Sequence, residues 1–179
     1  MRPALFAAGA ALALGAPLFV SGAAHAETAC ADLAKASLPH AEIASAKQMA
    51  IKGGQACDIH LHSHPTSDSD IQIEVMIPVG AAWNGKFVQV GNGGLAGRIP
   101  TAQVKLRAEE GYAAAGTDDG HTGNGRTAVW ALHHPEKIAD FGWRSLKETT
   151  EAGKALVKAQ KDAAPKRSYF VGCSAGGRE

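Results

Sequence analysis

The sequence predicts an α/β fold, a mostly parallel sheet with helices on both faces. Three observations lead there. Apolar strand-like runs alternate with helical stretches through the second half of the chain. A glycine-rich segment, Gly91-Asn92-Gly93-Gly94, follows one strand-like run directly. A second run, Ser168 to Val171, delivers Gly172-Cys173-Ser174-Ala175-Gly176, a G-x-S-x-G pattern.

The first residues stand apart from this fold. Arg2 is followed by an almost wholly apolar run from Ala4 to Val20, and Ala24-His25-Ala26 fits a small-x-small cleavage rule. Residues 1–26 therefore read as a secretory signal peptide, and residues 27–179 as one domain. The rival reading, a membrane anchor, is disfavoured because the run is short, rich in Ala and Gly, and broken by Pro17. The expected location is secreted or periplasmic, with no stable membrane anchor. Lys and Arg number 18 against 17 Asp and Glu, without a basic stripe, which excludes nucleic acid as an expected partner.

Each element follows in order. Residues 30–50 read as weakly helical. In IQIEVMIP, residues 71–78, Ile71, Ile73, Val75 and Ile77 share one face, as a half-buried strand requires. Asn84-Gly85 supplies the positive-φ residues of a tight turn. Residues 86–90 form a second strand and 101–110 a helix closed by Gly111. Residues 112–117 form a short buried strand entering the loop DDGHTGNG. From Asp140 an amphipathic helix runs to about Lys161, with Trp143, Leu146, Thr150, Gly153 and Val157 on its inner face. Residues 168–171 form the last strand.

In this order the serine motif has the chemistry of a nucleophile elbow. A serine on a strained strand-to-helix turn exposes its Oγ, and small flanking residues let strand and helix approach. In an α/β-hydrolase the oxyanion donors come from the residue after the nucleophile and from an earlier loop. Here these are Ala175 and the Gly93-Gly94 segment. The predicted architecture is thus an α/β-hydrolase fold, incomplete, holding the N-terminal half of the sheet up to the elbow.

Other motifs are weighed against plainer readings. Gly91-x-Gly93-x-x-Ala96 with Asp118 resembles a dinucleotide fingerprint, but Ile99-Pro100 delays the helix that should meet the phosphates. Asp118 or Asp119 with His121 suggests a catalytic pair, yet acid and histidine follow the serine in α/β-hydrolases. His121 is instead a candidate for the substrate-binding mouth, or a satisfied polar loop residue. His60, His62 and His64 share one face of an extended segment. No Cys, Asp or Glu is clearly placed to complete a ligand set, so no metal site is assigned. Asp68-Ser69-Asp70 is a polar turn. Of Cys30, Cys57 and Cys173, the shortest closure pairs the first two. Cys173 is then a buried free thiol or the partner of a cysteine elsewhere.

The chain resembles the N-terminal part of the tannase and feruloyl esterase family of secreted α/β-hydrolases. The matching blocks are IQIEVMIPVGAAWNGKFVQVGNGGLAG, GYAAAGTDDGH, DFGWRSLKETTEAGKAL and YFVGCSAGGRE. The resemblance implies that Ser174 is the nucleophile, with Ala175, Gly93 and Gly94 as the oxyanion hole. It implies a Cys30–Cys57 pair, and a bridge from Cys173 to a cysteine beside the catalytic histidine. It implies hydrolysis of small-molecule aromatic-acid esters, of gallate or hydroxycinnamate type. Family members continue past the elbow with a lid, often holding a structural calcium, and then the triad acid and histidine. The chain itself is expected to need no cofactor, to lack those parts of the site, and to be inactive alone.

Overall fold

The computed structural model describes residues 26–179. The signal-peptide reading falls almost entirely outside the described residues. A short helix, α1 (Cys30–Leu33), precedes a six-stranded mixed sheet. Its strands are β1 (Ala41–Ile51), β2 (Gly54–Ser63), β3 (Ile71–Pro78), β4 (Lys86–Val90), β5 (Ala113–Thr117) and β6 (Arg167–Val171). Their spatial order is β1-β2-β3-β5-β4-β6. Helix α2 (Thr101–Glu109) links β4 to β5. Between β5 and β6 the chain forms α3 (Pro135–Ala139), one wide helical turn over Asp140–Arg144, and α4 (Ser145–Lys161). A single turn, α5 (Ala175–Arg178), follows β6.

The sheet is half antiparallel, not mostly parallel as the alternation suggests. β1, β2, β3 and β5 pair antiparallel in turn, while β4 pairs parallel with both β5 and β6. The physical reason lies in connection length. The tight turn at Gly53-Gly54 returns β1 directly into β2, whereas α2 and α4 supply the long crossovers that parallel neighbours require.

β1 corrects the helical reading of residues 30–50. Its Ala, Lys, Gln and Met favour a helix locally, but pairing with β2 from Ala41↔Ser63 to Ile51↔Gly54 overrides that preference. Only Cys30–Leu33 is helical in this stretch. β3 is buried on both faces. Ile71, Ile73, Val75 and Ile77 pack on the α4 side, while Met76 joins Val104 and Ala108 of α2. The sheet therefore has two cores, one beneath each crossover helix.

α4 carries its inner face on Ser145, Glu148, Thr149, Ala152, Gly153, Leu156, Val157 and Gln160. Trp143 is 55% exposed, which corrects its place on the expected inner face. The wide turn at Asp140–Arg144 interposes and rotates the helix register. At the tight turn before β4 only Gly85 takes positive φ, at 80°. The Cys30–Cys57 disulfide ties α1 to β2, with Cα atoms 5.4 Å apart. Among the described residues no helix is long and apolar enough to cross a membrane.

Candidate active site

The serine motif sits where β6 ends. Ser174 is exposed, with φ 60° and ψ −119°. A side-chain-bearing residue held in this region costs on the order of 1–3 kcal/mol, so the fold must impose it. It does so by crowding. A Cβ at Gly172 would run into the carbonyl of Gly176, so the chain can reverse there only without one. Gly176 in turn lies against the backbone of Gly91 and Asn92.

That contact joins the two motifs. The Gly91 N–H donates to the Val171 carbonyl at 2.9 Å, and the Gly176 N–H donates to the Asn92 carbonyl at 2.8 Å. The glycine segment after β4 and the turn after β6 are thus adjacent because their strands are neighbours. Gly94 holds φ 61° and packs its Cα against the Gly125 carbonyl, a position closed to any Cβ. The N–H groups of Gly93, Gly94 and Ala175 make no hydrogen bond among the described residues. The same holds for Ser174 Oγ.

Asn92 is a residue the sequence reading missed. Its Nδ2 donates to the Thr117 carbonyl at 2.6 Å and to Asp119 Oδ1 at 3.3 Å. Its N–H donates to Glu179 Oε2 at 3.1 Å. The side chain therefore pins the glycine segment to the end of β5, while the backbone N–H ties it to Glu179 at the end of α5. The signal was present: an asparagine inside a glycine run has a hydrogen-bonding task that glycine cannot perform.

The DDGH loop is structural at its first two positions. Asp118 Oδ1 accepts the N–H groups of Gln72 at 3.1 Å and Gly120 at 2.9 Å, and the side chain is buried, 2% exposed, which does not suit a ribose-binding carboxylate. Burial pushes the Asp118 carboxyl up to about 7. Burial also raises Asp119, with the Glu179 carboxylate adding to it. In addition, α2 starts only at Thr101, well past Gly93, against a phosphate-binding turn.

His121 is buried, 3% exposed, and stacks on Trp130 with ring centroids 4.0 Å apart. The imidazole lies against the backbone of Asp119 and Leu95, and these contacts oppose the effect of its burial. Burial lowers its pKa, favouring the neutral ring. It lines an open cavity of about 430 Å³ with Asp70, Thr122, Trp130 and Leu132. The cluster reaches the serine turn through Phe141. That ring lies 5.2 Å from Trp130 and 4.3 Å beneath the Arg178 guanidinium of α5. Cys173 is an exposed free thiol, not a buried one, and borders a separate cavity of about 360 Å³.

The three strand histidines divide. His62 and His64 stand with Asp70, while His60 stands with Asp58 and Glu74. The carboxylates expected to be missing are thus supplied by the same strand, the neighbouring strand and the loop between them.

Comparison with known proteins places the chain. Residues 57–179 match the family described as tannase and feruloyl esterase. An uncharacterized esterase of Xanthomonas campestris pv. campestris is 40% identical, over 93% of this chain and 30% of that protein. Feruloyl esterase B of Aspergillus niger is 34% identical, over 80% of this chain and 27% of that protein. The crystal structure of feruloyl esterase B from Aspergillus oryzae superposes with a TM-score of 0.76 at 29% identity. It covers 83% of this chain and 32% of that one. The chain therefore spans about a third or less of the length of the relatives it matches. With its mixed sheet and crossover helices it is the corresponding part of an α/β-hydrolase-type fold, and it belongs to the tannase and feruloyl esterase family.

Proposed function

We propose that Ser174 is the nucleophile of an exported ester hydrolase acting on esters of aromatic acids, of the gallate or hydroxycinnamate class. The observation that carries this reading is the strained, exposed Ser174 together with unbonded amides on Ala175 and on the adjoining Gly93-Gly94 segment. Ser174 Oγ attacks the ester carbonyl and loses its proton to a base. The carbonyl oxygen becomes an oxyanion held by those amides, the alcohol departs with a proton, and water then releases the acid from the acyl-enzyme. The family and the feruloyl esterase relatives support the substrate class.

Asp118, Asp119 and His121 do not supply the base and acid. The two carboxylates are engaged within the fold, and His121 stacks in the aromatic cluster without a hydrogen bond to Ser174. We assign those roles to the part of the relatives' length that this chain does not span. Cys173, exposed beside the nucleophile, is suited to bridge to a cysteine next to the histidine there. Residues 1–26 provide the export signal.

Labelling with a fluorophosphonate probe tests this, on the chain and on a form extended to the length of its relatives. Rapid labelling of the extended form, abolished by Ser174→Ala, is the expected result. No labelling of either form makes the protein a non-catalytic exported binding module. Equal labelling of both forms places the activating base within residues 27–179.

A further inference from the structure

We propose that Asp58, His60 and Glu74 form a divalent-cation site that clamps β2 to β3 on the sheet face covered by α2. His60 and Glu74 are directly opposite in the β2–β3 register, and Asp58 lies two residues before His60 on the same face. One ligand atom from each of the three lies within 4.8 Å of the others. Zinc takes imidazole nitrogen and carboxylate oxygen at about 2.0–2.2 Å, so its ligands stand up to about 4 Å apart and a small inward movement closes the set.

The second observation is a group left without its partner. Glu74 is fully buried, yet its Oε1 accepts no hydrogen bond; its Oε2 takes one from Thr101 at 2.5 Å. Asp58 Oδ1 lies 3.4 Å from His60 Nε2, its one close partner among the described residues, and this contact raises the His60 pKa. A fully buried carboxylate with a second carboxylate beside it is costly unless a cation lies between them. Lys47 faces Asp58 across the β1–β2 register, but no ion pair between the two is formed among the described residues. Burial accordingly raises the Glu74 carboxyl. The His60 side chain is 43% exposed and that of Asp58 24% exposed, which leaves a route in from solvent.

The neighbouring set is less suited. His62 Nδ1 is bonded to Asp70 at 2.7 Å, and His64 Nδ1 to the Ser69 carbonyl at 2.9 Å, so half of its imidazole nitrogens are already used. One imidazole with two carboxylates suits Zn²⁺, with water filling the fourth position. The site is remote from Ser174. β3 is separated from β6 by β5 and β4, about 14 Å at ordinary strand spacing. The cation therefore braces the sheet and takes no part in ester cleavage, and the proposal stands independently of the esterase reading.

The test is calorimetric titration of tag-free, chelator-stripped protein with zinc chloride, together with thermal unfolding with and without zinc. Wild type is expected to take up one equivalent and unfold at a higher temperature. His60→Gln and Glu74→Gln should each weaken binding at least tenfold, and His62→Gln should leave it unchanged. Co²⁺ absorption in the same variants reports the ligand set directly. Should Glu74→Gln fail to fold, His60→Gln, at a half-exposed ring, decides alone. No uptake by wild type, tight binding retained in His60→Gln, or binding lost in His62→Gln overturns the proposal.

Discussion

Ser174 holds a backbone conformation that only glycine adopts cheaply, and it does so two residues after Gly172, where a Cβ would collide with the Gly176 carbonyl. This has a stability consequence separate from chemistry. Ser174→Gly should be more stable than Ser174→Ala by about 1 kcal/mol, because both remove the hydroxyl but only one removes the strain. Thermal unfolding of the two variants measures it. Asp118 gives a pH prediction. Its carboxyl is pushed up to about 7 in the fold, against about 3.9 in an unfolded chain. The folded state thus holds the extra proton between these values, and stability falls as pH rises from about 4 to about 7, then levels. Asp119, Glu74 and Asp140 are raised by burial and act in the same sense. Asp118→Asn keeps an oxygen acceptor for Gln72 and Gly120 and should flatten part of that slope in denaturant titrations at several pH values. A slope identical to wild type would mean that Asp118 is already ionised at low pH.

Elements are held by a few close approaches. α4 reaches the sheet at Gly153, where an added Cβ would sit 2.6 Å from Phe87 Cε2. Gly153→Ala gains helix propensity of about 1 kcal/mol but must displace a fully buried ring. The expected net loss is about 1–3 kcal/mol, read from the midpoint of chemical unfolding. α1 is anchored by the Cys30–Cys57 bridge and by Leu33, which is 1% exposed. Replacing both cysteines by serine should cost about 2–4 kcal/mol relative to the oxidised protein, visible as a lowered unfolding temperature. α2, the glycine segment and the last strand were legible as elements because their periodicity and punctuation agree with their tertiary roles. β1 was not, since a partner strand decides its state and its own residues do not.

Across the whole molecule, order is set by position in the sheet. β3 and β5 are central and buried on both faces, whereas among the described residues β6 pairs only with β4 and leaves Tyr169, Phe170 and Val171 40–44% exposed. Amide exchange should therefore be slowest in β3 and β5 and fastest in β6 and α5, and the reverse order would contradict the topology. The sequence alone determined the punctuation: glycines where backbones must touch, a serine at the end of a strand, a long amphipathic helix before it, and a disulfide within reach. Those depend on neighbours along the chain. The tertiary structure decided the rest. It turned half the sheet antiparallel, placed Asn92 between two motifs, buried Asp118 away from any ligand, and brought Glu74 opposite His60. Each of these is a contact between residues far apart in sequence, and strand pairing, unlike helical periodicity, is specified only when the partner strand is in place.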